Sequence, residues 1–497
     1  MERRKPSQPE NREVQPRAEW GVGEVHSSKE ASNDRRAKGP QFKFNAEAAR
    51  AWEIGVSLTT PIKVRQLQRA LYAKAKANPS YRFYALYDKI YRKDVLLWAW
   101  SCCRANGGSA GVDGQSFEAI EAKGVEGWLD QLAKELKEKT YRPQAVRRVM
   151  IPKPDGKQRP LGIPTIRDRA VQMAAVIVLE AIFEADLTEE QYAYRPQRSA
   201  HDAIGEVHGL LKGGYREVVD ADLSSYFDSI PHHELMKSVA RRVSDGAMLA
   251  LIKSWLEMAV EEDDGKGGKR RTTLNKDSGR GTPQGAPISP LLANLYMRRF
   301  LLGWKQGGWE KRLQARIVNY ADDFVILCRG KADSAREVME KMMQKLKLTV
   351  NQQKTRICKV PEESFDFLGY TIGQCHRART GKAYLGTKPS KKRVLRICEK
   401  ISQMTQRQGS WKDTEELVGE LNRVIKGWAN YFRLGSVSKA YRAVDSHTRY
   451  RLRQWLCAKH KVSGQGRTRF CDEYLYQKLG LLRLQHYGAN LPWAKAT

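Results

Sequence analysis

VNYADDFVILCRG, residues 318–330, sets two adjacent acids, Asp322 and Asp323, at the crest of an apolar stretch built from Ile317, Val318, Tyr320, Phe324, Val325, Ile326 and Leu327. β-Branched and aromatic residues run up to the pair and away from it, which predicts a hairpin with the acids at its tip. Asp is also an ordinary turn residue, so the pair alone does not define a site. Two carboxylates held about 4 Å apart at a partly shielded place repel by a few kcal/mol, and a stable arrangement calls for a cation between them. A functional reading therefore needs a third acid and a group that binds phosphate.

Both are present upstream. EVVDADLSSYFDSIPH, residues 217–232, places Asp222 at the end of another β-branched run, with Phe227 five residues later. A strand ending in one acid fits beside a hairpin tipped with two, although a strand-end Asp can equally be a local cap. Three carboxylates from neighbouring elements suit a pair of Mg²⁺ ions, which keep open positions for substrate phosphates. RRVMIPKPDGKQRPLGIPTIRDRAVQ, residues 147–172, carries Lys153 and Arg159 on either side of a Pro-Asp-Gly turn, so both cations can address one anion such as a triphosphate. GTPQGAPISPLLANLY, residues 281–296, is a Gly/Pro loop running into a helix, where small residues let backbone approach a base or template strand. Each of these two motifs is weak evidence alone.

The composition narrows the partner. The chain has 497 residues, too many for one ordinary core, and 41% of them are apolar. A formal charge of +32 destabilises a compact state unless a polyanion shares the surface, so nucleic acid is the expected partner. The longest apolar run, AVQMAAVIVLEAIF at 170–183, is short and interrupted by Gln172 and Glu180, which argues against a membrane. The N-terminus lacks the apolar segment of a secretory signal, and the eight cysteines show no zinc-ligand spacing. These features predict reduced thiols and a cytoplasmic protein associated with the nucleoid.

Four segments are expected. Residues 1–55 are rich in charges of both signs and in Ser, Gln and Pro, and predict an extension without a fold of its own. Residues 56–380 begin with basic helices broken at Asn78 and Pro79, pass through the Gly-rich NGGSAGVDG, and then alternate short β-like runs with helices at 167–183, 233–260 and 333–346, the pattern of an α+β domain. Residues 381–460 are helical, with Asp413 and Glu416 spaced as a capping box, and 461–497 form a basic tail. From 388 onward 23 Lys and Arg face only 8 Asp and Glu, so nearly half the excess charge lies in the last 110 residues. A predominantly positive helical surface suits a phosphate backbone.

The ordered series RPLGIP (159–164), YRPQRSAHDA (194–203), DLSSYFD (222–228), TPQGAPISPLLAN (282–294), YADD (320–323), NQQKTR (351–356) and FLGY (367–370) resembles the reverse transcriptases encoded by bacterial group II introns. The resemblance extends back to YRFYALYDKIYRKDVL and GGSAGVDG and forward to KGWANYFRLG, covering roughly 60–460. It implies a right-hand polymerase, α+β in class, with fingers and palm containing antiparallel sheet, followed by a helical thumb or maturase domain. By motif match Asp222, Asp322 and Asp323 form the catalytic acids and, with the Leu223 carbonyl, the implied site for two Mg²⁺, with Mn²⁺ as a substitute. Phe227 is implied under the sugar, Lys153 and Arg159 on the triphosphate, Gln284 in the nucleotide pocket and Lys354 near the leaving pyrophosphate. Phe367, Leu368, Gly369 and Tyr370 are implied as the primer grip. Lys391, Lys392, Arg393, Arg423, Lys426 and Arg433 are the expected RNA-binding residues.

The implied partners are group II intron RNA, a DNA target and primer, and dNTPs, with the protein a monomer or homodimer. Two alternatives keep much of this chemistry: a factor whose main work is holding structured RNA for splicing, and an intron-free relative acting in DNA repair or phage defence. Departures from the family pattern occur at 191–196, QYAYRP, and at Gly285 and Ala286, and they bear on the template strand. Nothing after 460 resembles the Cys-rich endonuclease of many relatives, so second-strand cleavage is not expected.

Overall fold

The computed structural model describes residues 60–152, 158–264, 268–377 and 380–489. The expected N-terminal extension and Lys153 lie outside the described residues.

The β-branched run at 217–221 and the hairpin at 315–328 are neighbours in one antiparallel sheet. Its order is Ala315–Tyr320, Asp323–Cys328, Glu217–Ala221, Arg356–Lys359. Alternate residues point to opposite faces of a strand. Val219, Ala221, Phe324 and Ile326 therefore enter the large core shared with the helices Ile166–Glu184, Ser289–Gln306 and Ala332–Lys345. Val218, Val325, Leu327 and Cys358 enter a second core under the helix Ala200–Lys212. Burial on both faces explains why FVILC is continuously apolar instead of alternating.

A second four-stranded sheet holds the hairpin of Val146–Pro152 and Gln158–Ile163, joined by a parallel pairing to the hairpin of Val260–Asp263 and Lys269–Thr272. The remaining sheet, Phe365–Phe367, Tyr370–His376 and Ala383–Pro389, leads into three helices, Lys391–Met404, Thr414–Tyr431 and Ser438–Lys459. Asp413 caps the middle helix, accepting from the Glu415 and Glu416 amides at 2.8 and 3.0 Å. Residues beyond 460 continue the same body: Phe470, Leu475, Leu481 and Leu484 are buried in the three-helix core, and buried Asp445 accepts from the Leu484 amide at 2.9 Å. No described helix is long and apolar enough to cross a membrane.

The helix expected over 233–260 is two, His232–Ala240 and Gly246–Leu256. Asp245 divides them, because one carboxylate oxygen caps the second helix at Met248 while the other accepts from the Leu86 and Tyr87 amides at 2.7 and 2.8 Å. Next to it, fully buried Arg242 pairs with Asp186 at 3.0 Å and donates to the Asn78 and Pro79 carbonyls at 2.8 and 2.7 Å. The break thus ties the N-terminal helix Ile62–Ala77 to the palm.

Candidate active site

The hairpin strands are joined by only two residues, Ala321 and Asp322, since Tyr320 pairs with Asp323. Such a turn needs positive φ, and Ala321 has φ +60°. Buried Asn319 stabilises it by donating from Nδ2 to the Ala321 carbonyl at 2.8 Å. The departing QYAYRP segment braces the outer edge: the Asn319 amide donates to the Glu190 carbonyl at 2.8 Å, and the Tyr192 amide donates to the Asn319 carbonyl at 2.9 Å. Here the segment supports the acid-bearing tip itself.

Glu217–Ala221 lies antiparallel beside the second hairpin strand, with Ala221 opposite Phe324. Asp222 follows Ala221 directly and Asp323 precedes Phe324 directly, so the two acids leave the same end of the ladder. Asp323 lies within electrostatic reach of both Asp322 and Asp222, so the three acids share one edge. On its other side Leu223 bridges Val350, with the flanking bonds made by the Ser224 amide to Thr349 and the Asn351 amide to Asp222, at 2.9 and 2.8 Å. In this alternation the N–H and C=O of Leu223 itself face the acidic hairpin.

Charge is concentrated there. Asp323 reaches solvent, but the surrounding protein walls and the charges of Asp322, Asp222 and Asp220 push its carboxyl up to about 7, with Arg393 acting the other way. Burial, opposed by Arg356, pushes Asp220 up to about 6. Asp222 accepts on Oδ2 from Asn351 Nδ2 at 3.2 Å and from Lys354 Nζ at 3.3 Å. Among the described residues no three His, Cys, Asp or Glu side chains close into a ready-made cage for a metal ion. An open edge of carboxylates and one carbonyl, needing substrate oxygens to complete its shell, nevertheless fits Mg²⁺, which keeps several ligand positions outside the protein. The raised carboxyl of Asp323 marks a place short of positive charge.

Around this edge, Phe227 is buried and its carbonyl accepts from the Thr282 amide at 2.8 Å. Gln284 follows two residues later, and its carbonyl accepts from the Gly162 amide at 2.6 Å. The PQG loop thereby crosses the strand Gln158–Ile163, on which Arg159 stands opposite Ile151. Gly285 has φ +105°, and a Cβ there would sit on the Gly162 carbonyl oxygen. Since neither backbone can yield, Gly285→Ala is expected to lower kcat/KM for primer extension at least about tenfold, measured beside Ala286→Gly as a tolerated control.

The FLGY residues fall into two kinds. Phe367 and Tyr370 are buried, whereas Leu368 and Gly369 form a turn with φ +51° and +83°. Tyr370 donates its hydroxyl to the Tyr431 carbonyl, and the Tyr431 hydroxyl donates to the Leu368 carbonyl at 2.8 Å. His201 of the palm helix also meets the Tyr431 carbonyl, at 2.6 Å. The expected RNA-binding residues divide as well. Lys391, Lys392, Arg423 and Lys426 are exposed on the helices. Arg393 stands against the Gly369 turn within electrostatic reach of Asp323, and Arg433 is half-buried, its amide donating to the Tyr370 hydroxyl at 3.1 Å. Sequence reading missed Asn351 on Asp222, Asn319 under the turn, and Asp228, which accepts from Gln284 Nε2 at 2.9 Å. All three lie inside quoted stretches, but nothing in their spacing discloses their partners.

Residues 151–372 match the family described as reverse transcriptase (RNA-dependent DNA polymerase), and residues 394–475 match the group II intron maturase-specific domain. Protein YkfC of Escherichia coli is 34% identical over 349 residues, covering 62% of this chain and 88% of its own. The group II intron-encoded protein LtrA of Lactococcus lactis is 27% identical, covering 76% of this chain and 75% of its own. Among solved structures, a chain of a partial Cas6-RT-Cas1–Cas2 complex aligns with a TM-score of 0.31 at 23% identity, over 52% of this chain and 41% of that one.

Proposed function

The chain belongs to the group II intron reverse transcriptase and maturase family, and from that premise we propose how its residues share the reaction. It is an RNA-directed DNA polymerase joined to a maturase domain and serves intron splicing and mobility. Enzymes of this family work with divalent metal ions. Asp222 and Asp322, with the Leu223 carbonyl, are the ligands for two Mg²⁺, which Mn²⁺ can replace, and Asp323 completes the acidic edge. When bound, these ions acidify the primer 3′-hydroxyl and neutralise charge on the transferring phosphoryl group and the leaving pyrophosphate.

The chain's own groups do the positioning. Phe227 lies under the deoxyribose and excludes a 2′-hydroxyl, and Gln284 lines the pocket beside it. Lys153 and Arg159 clamp the triphosphate, and Lys354 stands at the acidic edge to receive the departing pyrophosphate. The Leu368 and Gly369 turn contacts the primer, held from behind by Phe367 and Tyr370. Lys391, Lys392, Arg423 and Lys426 grip intron RNA, while Arg393 and Arg433 serve the junction with the palm. The substrates are dNTPs, and the working site is the nucleoid.

The observation that supports this reading is the strand register that ends with Ala221 opposite Phe324, one residue short of Asp222 on one strand and next to Asp323 on the other. Its test is extension of a DNA primer on an RNA template with dNTPs and Mg²⁺. Tight RNA binding without extension would overturn it. The raised carboxyl of Asp323 adds a pH signature. Folded without metal, this acid binds a proton that the unfolded chain, titrating near 4, does not, so it lowers stability as pH rises from about 4 to 7. Below about 7 that proton competes with the ions. The Mg²⁺ concentration giving half-maximal extension is therefore expected to rise several-fold from pH 8 to pH 6.

A further inference from the structure

Where the strand Glu217–Ala221 pairs with Arg356–Lys359, Asp220 stands opposite Arg356. Two residues further on, the Asp222 carbonyl accepts from the Asn351 amide at 2.8 Å, and Leu223 bridges Val350. Ala221 alone therefore faces Gln352, Gln353, Lys354 and Thr355. The partner chain bulges out beside the first of the acids, and bulges next to active sites serve to aim a side chain. We propose that Asn351, at the base of this bulge, is a positioning residue that orients the Asp222 carboxylate toward its metal ion. The proposal rests on the reading of Asp222 as a metal ligand.

One five-residue stretch holds most of the polar groups of Asp222. The Asp222 amide donates to Thr355 Oγ1 at 3.3 Å, and Oδ2 accepts from Asn351 Nδ2 at 3.2 Å and from Lys354 Nζ at 3.3 Å. The bulge is also closed on itself, since the Asn351 carbonyl accepts from the Lys354 and Thr355 amides at 3.2 and 2.9 Å. Thr355 is buried, whereas Lys354 is exposed.

The two donors on Oδ2 differ in kind. Lys354 carries its charge on a flexible, exposed stem and is repelled by any divalent ion that arrives at the edge. The Asn351 amide is neutral and hangs from a backbone bonded through both its N–H and its C=O, so it can keep its bond while a metal binds. An ionised carboxylate oxygen has lone pairs for more than one partner, so this bond fixes the rotation of the carboxylate without using up its capacity for cations. Ligating carboxylates are commonly held by such bonds from behind. Without it, the carboxylate is free to turn toward Lys354, which then competes with the ion.

The test counts Mn²⁺ bound to the full-length chain by electron paramagnetic resonance, with Asp222→Asn setting the background. Asn351→Leu keeps the size of the side chain and both backbone bonds but lacks the donor. Its Mn²⁺ dissociation constant is expected to rise about tenfold, with a similar fall in kcat/KM for primer extension and little change in melting temperature. Thr355→Val, which removes the acceptor for the Asp222 amide, is expected to weaken Mn²⁺ binding about threefold, and Thr355→Ser to restore it. This second pair decides the matter should Asn351→Leu fail to fold. Unchanged Mn²⁺ affinity in folded Asn351→Leu or in Thr355→Val, or a Thr355→Ser chain as weak as Thr355→Val, would overturn the proposal. A wild-type chain that binds no more Mn²⁺ than Asp222→Asn would instead overturn the ligand assignment beneath it.

Discussion

Asp222→Asn and Asp322→Asn variants are expected to extend a DNA primer on an RNA template at least about 10³-fold more slowly than the wild type, with no loss of thermal stability. The side chains keep their size, and an asparagine oxygen at position 222 could still accept from Asn351 and Lys354, so the neighbourhood stays packed. What disappears is one negative charge from an edge where Asp323 already carries a carboxyl pushed up to about 7 by burial and by its acidic neighbours. Removing a like charge relieves that repulsion, so the melting temperature should hold or rise slightly. Catalysis responds oppositely, because a neutral amide neither binds two divalent ions well nor balances the charge of the phosphoryl group in flight. Single-turnover extension with excess Mg²⁺, paired with a thermal melt, reads both effects. A rate within tenfold of wild type in either variant would remove these acids from the chemistry.

Replacing Lys391, Lys392, Arg423 and Lys426 together by Gln is expected to weaken binding of intron RNA by about 10²–10³-fold near physiological salt. Each phosphate contact contributes about 0.7–0.9 to the slope of log affinity against log salt, so the slope should become shallower by about 3. These four side chains are exposed and leave the buried three-helix core untouched, so the fold should survive. Extension on a short unstructured template should fall far less than splicing. Equal losses would mean that holding RNA and copying it use one surface, and would disfavour a separable splicing role. Arg393 is left out of the set because it lies within electrostatic reach of Asp323.

Much of this site could be read from the sequence because its main parts are local. A β-branched run ending in Asp222, and a hairpin tipped by Asp322 and Asp323, announce themselves by period and turn chemistry, and the motif order supplied their adjacency. The residues that hold those parts were not legible in the same way. Asn319 reaches only to Ala321, yet its buried position is set by Glu190 and Tyr192, more than a hundred residues earlier. Asp245 looked like one residue of a long helix until its second carboxylate oxygen found Leu86 and Tyr87. Phe367 and Tyr370 belong to the expected primer grip, but both are buried, and the Tyr370 ring packs against Tyr431 and Phe432. The segment beyond 460 read as a basic tail because its four anchoring apolar residues are spread over fifteen positions with no helical period.

The carbonyl of Tyr431 gathers a palm histidine and the hydroxyl of Tyr370, while the Tyr431 hydroxyl clasps the turn at Leu368. Three elements meet at one peptide group, so the C-terminal helices have little freedom to pivot there. An RNA seated on those helices is then like an object clamped to a lathe bed: its offset from the cutting edge is machined into the protein.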